Sequence, residues 1–173
     1  MSQTKTPPHD DGAEKSLLGA ILLDKDILID VAQTLTADDF YQSAHSAIYT
    51  AMLALFEKNE PVDLVTLTHE LKMQKLLTQA GGSSYLSDLL DAVPTSAHGK
   101  EYGRIIHDHF VKRRLIAAAA RITEEVFDEG TDTSALVDLA EQEIFAVAQD
   151  KSGRDFTSLR EALAASFDRL DEL

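Results

Sequence analysis

Six histidines, thirty carboxylates and sixteen lysines and arginines give this chain ample material for metal binding, proton transfer or phosphate capture. Their spacing decides whether any of it can be used. His69-Glu70 opens as a zinc-protease helix does, but Met73 stands where the second histidine should be. His107 and His109 are two residues apart, which places them about 200° around a helix, so they cannot converge on one ion. Each reads as a surface or cap histidine. No glutamate is followed by a histidine three residues later, which removes the Glu-x-x-His pairs of di-metal carboxylate bundles. Gly99-Lys100 is followed by Glu101 and lacks the upstream glycine of a phosphate loop. Asp38-Asp39, just before Phe40, reads as a helix-start signal and not as an acid–base pair. His45 and His98 lie near expected helix starts and read as capping or packing residues. With no cysteine, disulfides, zinc-thiolate sites and cysteine nucleophiles are excluded together. The spacing therefore assigns no catalytic, cofactor-binding or metal-binding residue in this chain. Tyr85, beside Gly81-Gly82, stands apart, because an aromatic ring with a polar tip suits a core anchor and an interface alike.

With chemistry set aside, composition points to shape. At 173 residues the chain can bury one sizeable core. Apolar residues make up 44%, yet aromatics are only 6% and tryptophan is absent, so aliphatic side chains and alanine must carry the packing. That favours helix on helix. The net charge is −14 and the pI about 4.7, a balance that repels a nucleic-acid backbone unless the basic residues gather on one face. The basic run Lys112-Arg113-Arg114 points in three directions on a helix and reads as a solvated, ion-paired surface. No apolar run approaches the roughly 20 residues of a membrane span, and the first ten residues hold no apolar signal core.

Residues 1–9 read as a flexible tail, with Pro7-Pro8 opposing helix. Residues 10–93 read as a compact helical head. Asp11 and Glu14 match a capping box ahead of Leu17, Leu18, Ile21 and Leu22 at helical spacing. A second helix is expected over 25–34, and a third over 43–58 with Ile48, Met52, Leu55 and Phe56 inward. Asn59 ends it, Pro61 and Asp63 start the next over 64–74, and the paired glycines precede a helix from Tyr85 to Leu90. After Pro94 the pattern changes. From Thr95 to Glu129 the sequence reads as one helix of about 30 residues, far beyond the usual length, with Gly99 and Gly103 loosening its start. Gly130 to Thr133 breaks it, and 134–149 form a partner, so 94–149 read as a long antiparallel hairpin. Its apolar residues spread over more than one face of each helix, a surplus that needs the head or another chain. Residues 150–156 are a polar linker. Residues 157–173 form an amphipathic helix with Leu159, Leu163, Phe167 and Leu170 in its stripe, and the pattern stops at Leu173 without a cap. The fold class is all-α.

Several blocks of this chain form an ordered set. They begin with Pro7-Pro8-His9, Ala13-Glu14-Lys15-Ser16-Leu17-Leu18-Gly19-Ala20 and Asp38-Asp39-Phe40-Tyr41 with His45. They continue with Glu60 to Leu67, Gly81 to Leu86 and Ala92 to Thr95. Tyr102 with Arg104-Ile105-Ile106, Arg113 to Ile116, and Leu139-Ala140-Glu141 before Ile144-Phe145 complete the set. In this order and spacing they resemble the N-terminal domain of bacterial replicative DNA helicases of the DnaB type. Gly12 departs from the pattern, where a larger residue is usual.

The resemblance implies a non-catalytic collar of a cytoplasmic hexameric helicase, which also docks the C-terminal domain of primase. The ATP- and magnesium-dependent motor, with its 5′ to 3′ movement on single-stranded DNA, would follow residue 173. It implies primase contact through Tyr85, Ile116 and Ile122, and packing between hairpins through Phe110, Leu115, Val126, Ile144 and Phe145. The last helix would pack on the motor of a neighbouring subunit through Leu159, Leu163, Phe167 and Leu170. No nucleic-acid or membrane contact is expected from this segment itself. Two other classes share the outline. One is the helicase-binding domain of a primase, which lies at a C-terminus, whereas Met1 and the Pro-Pro-His lead-in look N-terminal. The other is a small helical enzyme, such as a hydrolase.

Overall fold

The computed structural model describes residues 5–93 and 95–149, and every regular element among them is helical. Helix α1 spans Asp11–Leu23 and α2 Asp26–Val31, and a 3-10 turn at Ala37–Asp39 leads into α3, Ser43–Glu57. Helix α4 is Leu64–Met73, α5 Gly82–Asp91 and α6 Gly99–Val126. Helix α7 covers residues 133–149. The chain divides into two compact units, one ending at Lys112 and the other beginning at Arg113. Residues 150–173, with the expected linker and the stripe of Leu159, Leu163, Phe167 and Leu170, lie outside the described residues, as does Pro94.

Local chemistry sets the helix ends. Asp63 accepts hydrogen bonds from the Val65 and Thr66 amides, both at 2.9 Å, while Thr66 Oγ1 accepts from the Asp63 amide at 3.1 Å. Those bonds favour the ionised Asp63 and hold its carboxyl below the ordinary range, the Thr66 amide being the largest cause. At the end of α3, Asn59 takes a left-handed φ of 56°, and the Glu60 amide reaches back to the Leu55 carbonyl at 2.9 Å, a Schellman closure. Gly81 and Gly82 both have positive φ, 89° and 79°, which turns the chain into α5 without a Cβ clash. Several ends differ from the sequence reading: α2 stops at Val31 and not at residue 34, α5 starts at Gly82 and not at Tyr85, and α6 stops at Val126 and not at Glu129. Two further ends have a visible local cause. The first helix is capped by Asp10, whose Oδ1 accepts from the Ala13 amide at 2.9 Å, and Glu14 is turned inward instead of closing a capping box. The long helix begins at Gly99 and not at Thr95, because the Thr95 hydroxyl takes the Ala97 amide in a turn at 3.2 Å.

The first unit is built on aliphatic packing. Leu17, Leu18 and Ile21 of α1, Leu28 of α2, Ile48, Tyr49, Met52 and Leu55 of α3, Leu67 and Leu71 of α4 and Leu86 and Leu89 of α5 share one core. Helix α1 packs on α5, and α3 on α4. Each such side chain stabilises the fold by about 1.5–3 kcal/mol through area removed from water. Phe56, expected inward, is 40% exposed, since it lies at the rim of the Ile48–Met52–Leu55 stripe where α3 ends.

In the second unit the later part of α6 lies beside α7. Ala118 and Val147 are buried there, and Arg121 Nη1 meets Glu143 Oε1 at 2.6 Å. Residue 143 can reach residue 121 only if α7 runs back along α6 from their short connection. Ala118 and Val147 are the buried side chains of this seam, and many large apolar side chains stay outside it.

Candidate interaction surfaces

A polar chain runs through the first unit and ends on Tyr85. Glu14 enters from α1, His45 from the first turn of α3 and Tyr85 from the first turn of α5. Glu14 and His45 are each 1% exposed. The two Glu14 oxygens accept from the Tyr41 amide at 2.7 Å and the Gln42 amide at 3.3 Å, and Oε2 also faces His45 Nδ1 at 2.5 Å. His45 Nε2 then meets the Tyr85 hydroxyl at 2.6 Å. With the carboxylate as acceptor, Nδ1 carries a proton, and in the neutral imidazole Nε2 then accepts from the phenol. Burial raises the Tyr85 phenol above its ordinary range, with Asp11, Glu14 and Asp88 adding to the effect. The chain satisfies buried polar groups. Asp11, Lys15, Gln42 and Ala44 join His45 and Tyr85 in lining a cleft of about 140 Å³.

The start of α6 is fastened to the same unit. Asp39, fully buried, receives the Thr36 amide and hydroxyl on Oδ2 at 2.7 and 2.9 Å, and His107 Nδ1 lies 2.8 Å from Oδ1. The acidic pair at 38–39 thus serves a turn, as expected, and Asp39 also holds a histidine that sequence spacing placed on the surface. Gly99 does more than loosen α6: a Cβ there would stand 2.5 Å from Ile27 Cγ2, so the missing side chain is what lets α6 approach α2. Lys100 pairs with Asp30 at 3.1 Å. This Gly-Lys pair is therefore engaged in the contact of α6 with α2. Among the described residues no group of three or more metal-ligating side chains is placed to hold an ion.

The sequence-predicted contact residues fall in both units. Tyr85 and Phe110 lie in the first unit, half-buried, and Phe110 sits beside His107 with ring centroids 6.3 Å apart. Ile116, Ile122, Leu115, Val126, Ile144 and Phe145 lie in the second. Ile122 is half-buried and the other five are exposed, Phe145 at 62%. Phe127 at 81% and Val137 at 53% belong to the same exposed apolar set. Ala140, Glu141, Ile144, Phe145 and Ala148 line an open groove of about 500 Å³ on α7. Sequence reasoning missed Glu14 and Asp39 as organisers. For Glu14 a signal existed, since it precedes Leu17 and Leu18 by three and four residues and so shares their buried face. For Asp39 and His107 no local spacing could show a partner across the fold.

The architecture defines an all-helical domain whose buried polar groups hold helices together and whose apolar excess faces outward. A family profile described as the DnaB-like helicase N terminal domain matches residues 6–108, and the chain belongs to that family. The replicative DNA helicase DnaB of Geobacillus stearothermophilus is 38% identical over 169 residues, which is 98% of this chain and 37% of that protein. The replicative DNA helicase DnaC of Bacillus subtilis matches at the same identity and coverage. This chain thus spans little more than a third of the length of these curated relatives. The crystal structure of the N-terminal domain of DnaB helicase from Mycobacterium tuberculosis superposes with a TM-score of 0.78 at 40% identity, covering 82% of this chain and 99% of that one. A DnaB-like replicative helicase, described with its interactions with primase, superposes with a TM-score of 0.67 at 25% identity over 82% of this chain and 31% of its own. The family match and the curated helicase relatives place the chain with helicases and not with primases.

Proposed function

We propose that this chain supplies the non-catalytic collar and primase-docking part of a hexameric, cytoplasmic replicative DNA helicase. The motor that uses ATP and magnesium to unwind DNA would lie outside residues 1–173. The observation that carries this reading is the exposed apolar set on the second unit. Leu115, Val126, Ile144 and Phe145 stand out of the seam between α6 and α7, and a helix pair alone leaves them in water. Packing between hairpins of neighbouring subunits, with Phe110 contributing, would cover them. Tyr85, Ile116 and Ile122 are assigned to the C-terminal domain of primase, in keeping with the helicase relative described with primase. Leu159, Leu163, Phe167 and Leu170 are assigned to the motor of a neighbouring subunit.

Light scattering across concentration tests the collar, and titration with a primase C-terminal domain tests the docking. The expected result is a mass that rises above the monomer with concentration, together with saturable binding. A strict monomer at high concentration that also ignores the primase domain would overturn the reading.

A further inference from the structure

We propose that Glu14 and His45 are positioning residues that set the Tyr85 ring in its partner-binding orientation before the partner arrives. The proposal rests on the reading of Tyr85 as a primase contact and adds how that contact is prepared.

The contrast with the other tyrosine of the core carries the argument. Tyr49 is fully buried, and its hydroxyl meets a backbone carbonyl, that of Leu35, at 3.3 Å. That is the pattern of a packing residue. Tyr85 is only half-buried and sits in the first turn of a helix that starts from two left-handed glycines. A tyrosine so placed can turn its hydroxyl to water and leave its ring free to rotate between staggered wells. Instead the hydroxyl points inward, 2.6 Å from His45 Nε2, and the two rings lie 12° from parallel. His45 in turn cannot swing, because Glu14 holds its Nδ1 at 2.5 Å. Glu14 is itself pinned by the Tyr41 and Gln42 amides. Each member is fixed by the next one inward, and the hydroxyl is anchored to His45. What Tyr85 offers outward is the ring, in one orientation, beside the cleft bounded by Asp11, Lys15 and Gln42. A partner that packs on this ring has no rotamer freedom of Tyr85 left to quench, which is worth about three- to tenfold in affinity.

The test uses the full chain and a primase C-terminal domain, with dissociation constants read by calorimetry. His45→Asn keeps an amide donor near the Nδ1 position for Glu14 and removes the bond to Tyr85. Tyr85→Phe removes the same bond from the other side and keeps the ring. Each is expected to weaken binding about three- to tenfold, and the double variant should bind no worse than the weaker single one. Three-bond couplings of labelled Tyr85 should show one χ1 rotamer in the parent chain and averaging in His45→Asn, a change that a purely structural bond would not produce together with lost affinity. Tyr85→Ala separates the two claims. If it loses binding while His45→Asn and Tyr85→Phe bind as the parent does, the positioning proposal is overturned and the docking reading stands. If Tyr85→Ala itself binds unchanged, the docking reading falls and the proposal with it. Should His45→Asn fail to fold, Tyr85→Phe alone decides between these outcomes.

Discussion

Glu70 on α4 shows how single side chains set the conditions under which this fold holds. Its two oxygens accept from Lys58 Nζ at 2.9 and 2.8 Å, and Oε1 also accepts from Gln74 Nε2 at 2.7 Å. These bonds, that from Lys58 first, hold its carboxyl below the ordinary range, while Glu70 raises the Lys58 ammonium in return. A carboxyl depressed in the folded state stabilises it above the unfolded value of about 4.3, and the contribution disappears as pH falls through the lower folded value. Glu70→Gln should therefore melt below the parent at pH 7, and the gap should close in strong acid. A gap that persists undiminished once Glu70 of the parent is protonated in the folded and the unfolded chain alike would contradict this. Residues of this kind mark the limit of sequence reading. His45 and His107 each resemble ordinary cap or surface histidines, since Glu14 and Asp39 lie 31 and 68 residues away.

Helices were legible where their ends are written locally. Asp63, Asn59 and the glycine pair carry their instructions within a few residues, and the structure follows them. What spacing could not show is which face meets which neighbour. Gly103 and Gly99 read as weak points of α6 until Val31 and Ile27 are seen opposite them. The same logic is stronger at Gly19 on α1, where a Cβ would stand 2.2 Å from the Leu89 carbonyl oxygen of α5. That neighbour is backbone and cannot turn aside. Gly19→Ala gains about 1 kcal/mol of helix propensity, but overpacking of a close helix contact costs about 1–3 kcal/mol. The expected outcome is a lower urea midpoint with an unchanged slope. A midpoint at or above that of the parent would show that α1 and α5 can separate freely. The contact candidates were legible only as types and stripes. Leu115 and Ile144 are exposed as an interface requires, but exposure alone assigns no partner.

At the scale of the whole molecule, charge governs what this chain can approach. Thirty acidic residues against sixteen basic ones leave −14, and two of the basic groups near the start of α6, Lys100 and Arg104, are already paired with carboxylates. A polyanion gains nothing from counterion release at such a surface. Fluorescence anisotropy with single-stranded DNA at about 0.15 M salt, where screening is still incomplete, should show no saturable binding by the isolated chain. Saturable binding there would overturn this expectation. The apolar excess of the second unit and the acidity of the chain thus favour protein partners over nucleic acid.

The inward turn of Glu14 reaches further than Tyr85. The Tyr41 and Gln42 amides belong to no helix, yet they donate to a carboxylate that water does not reach. Hydrogen exchange at these two positions needs α1 to part from α3, not the fraying of a connection. Two amides in an irregular segment thereby become slow clocks for the opening of the whole first unit.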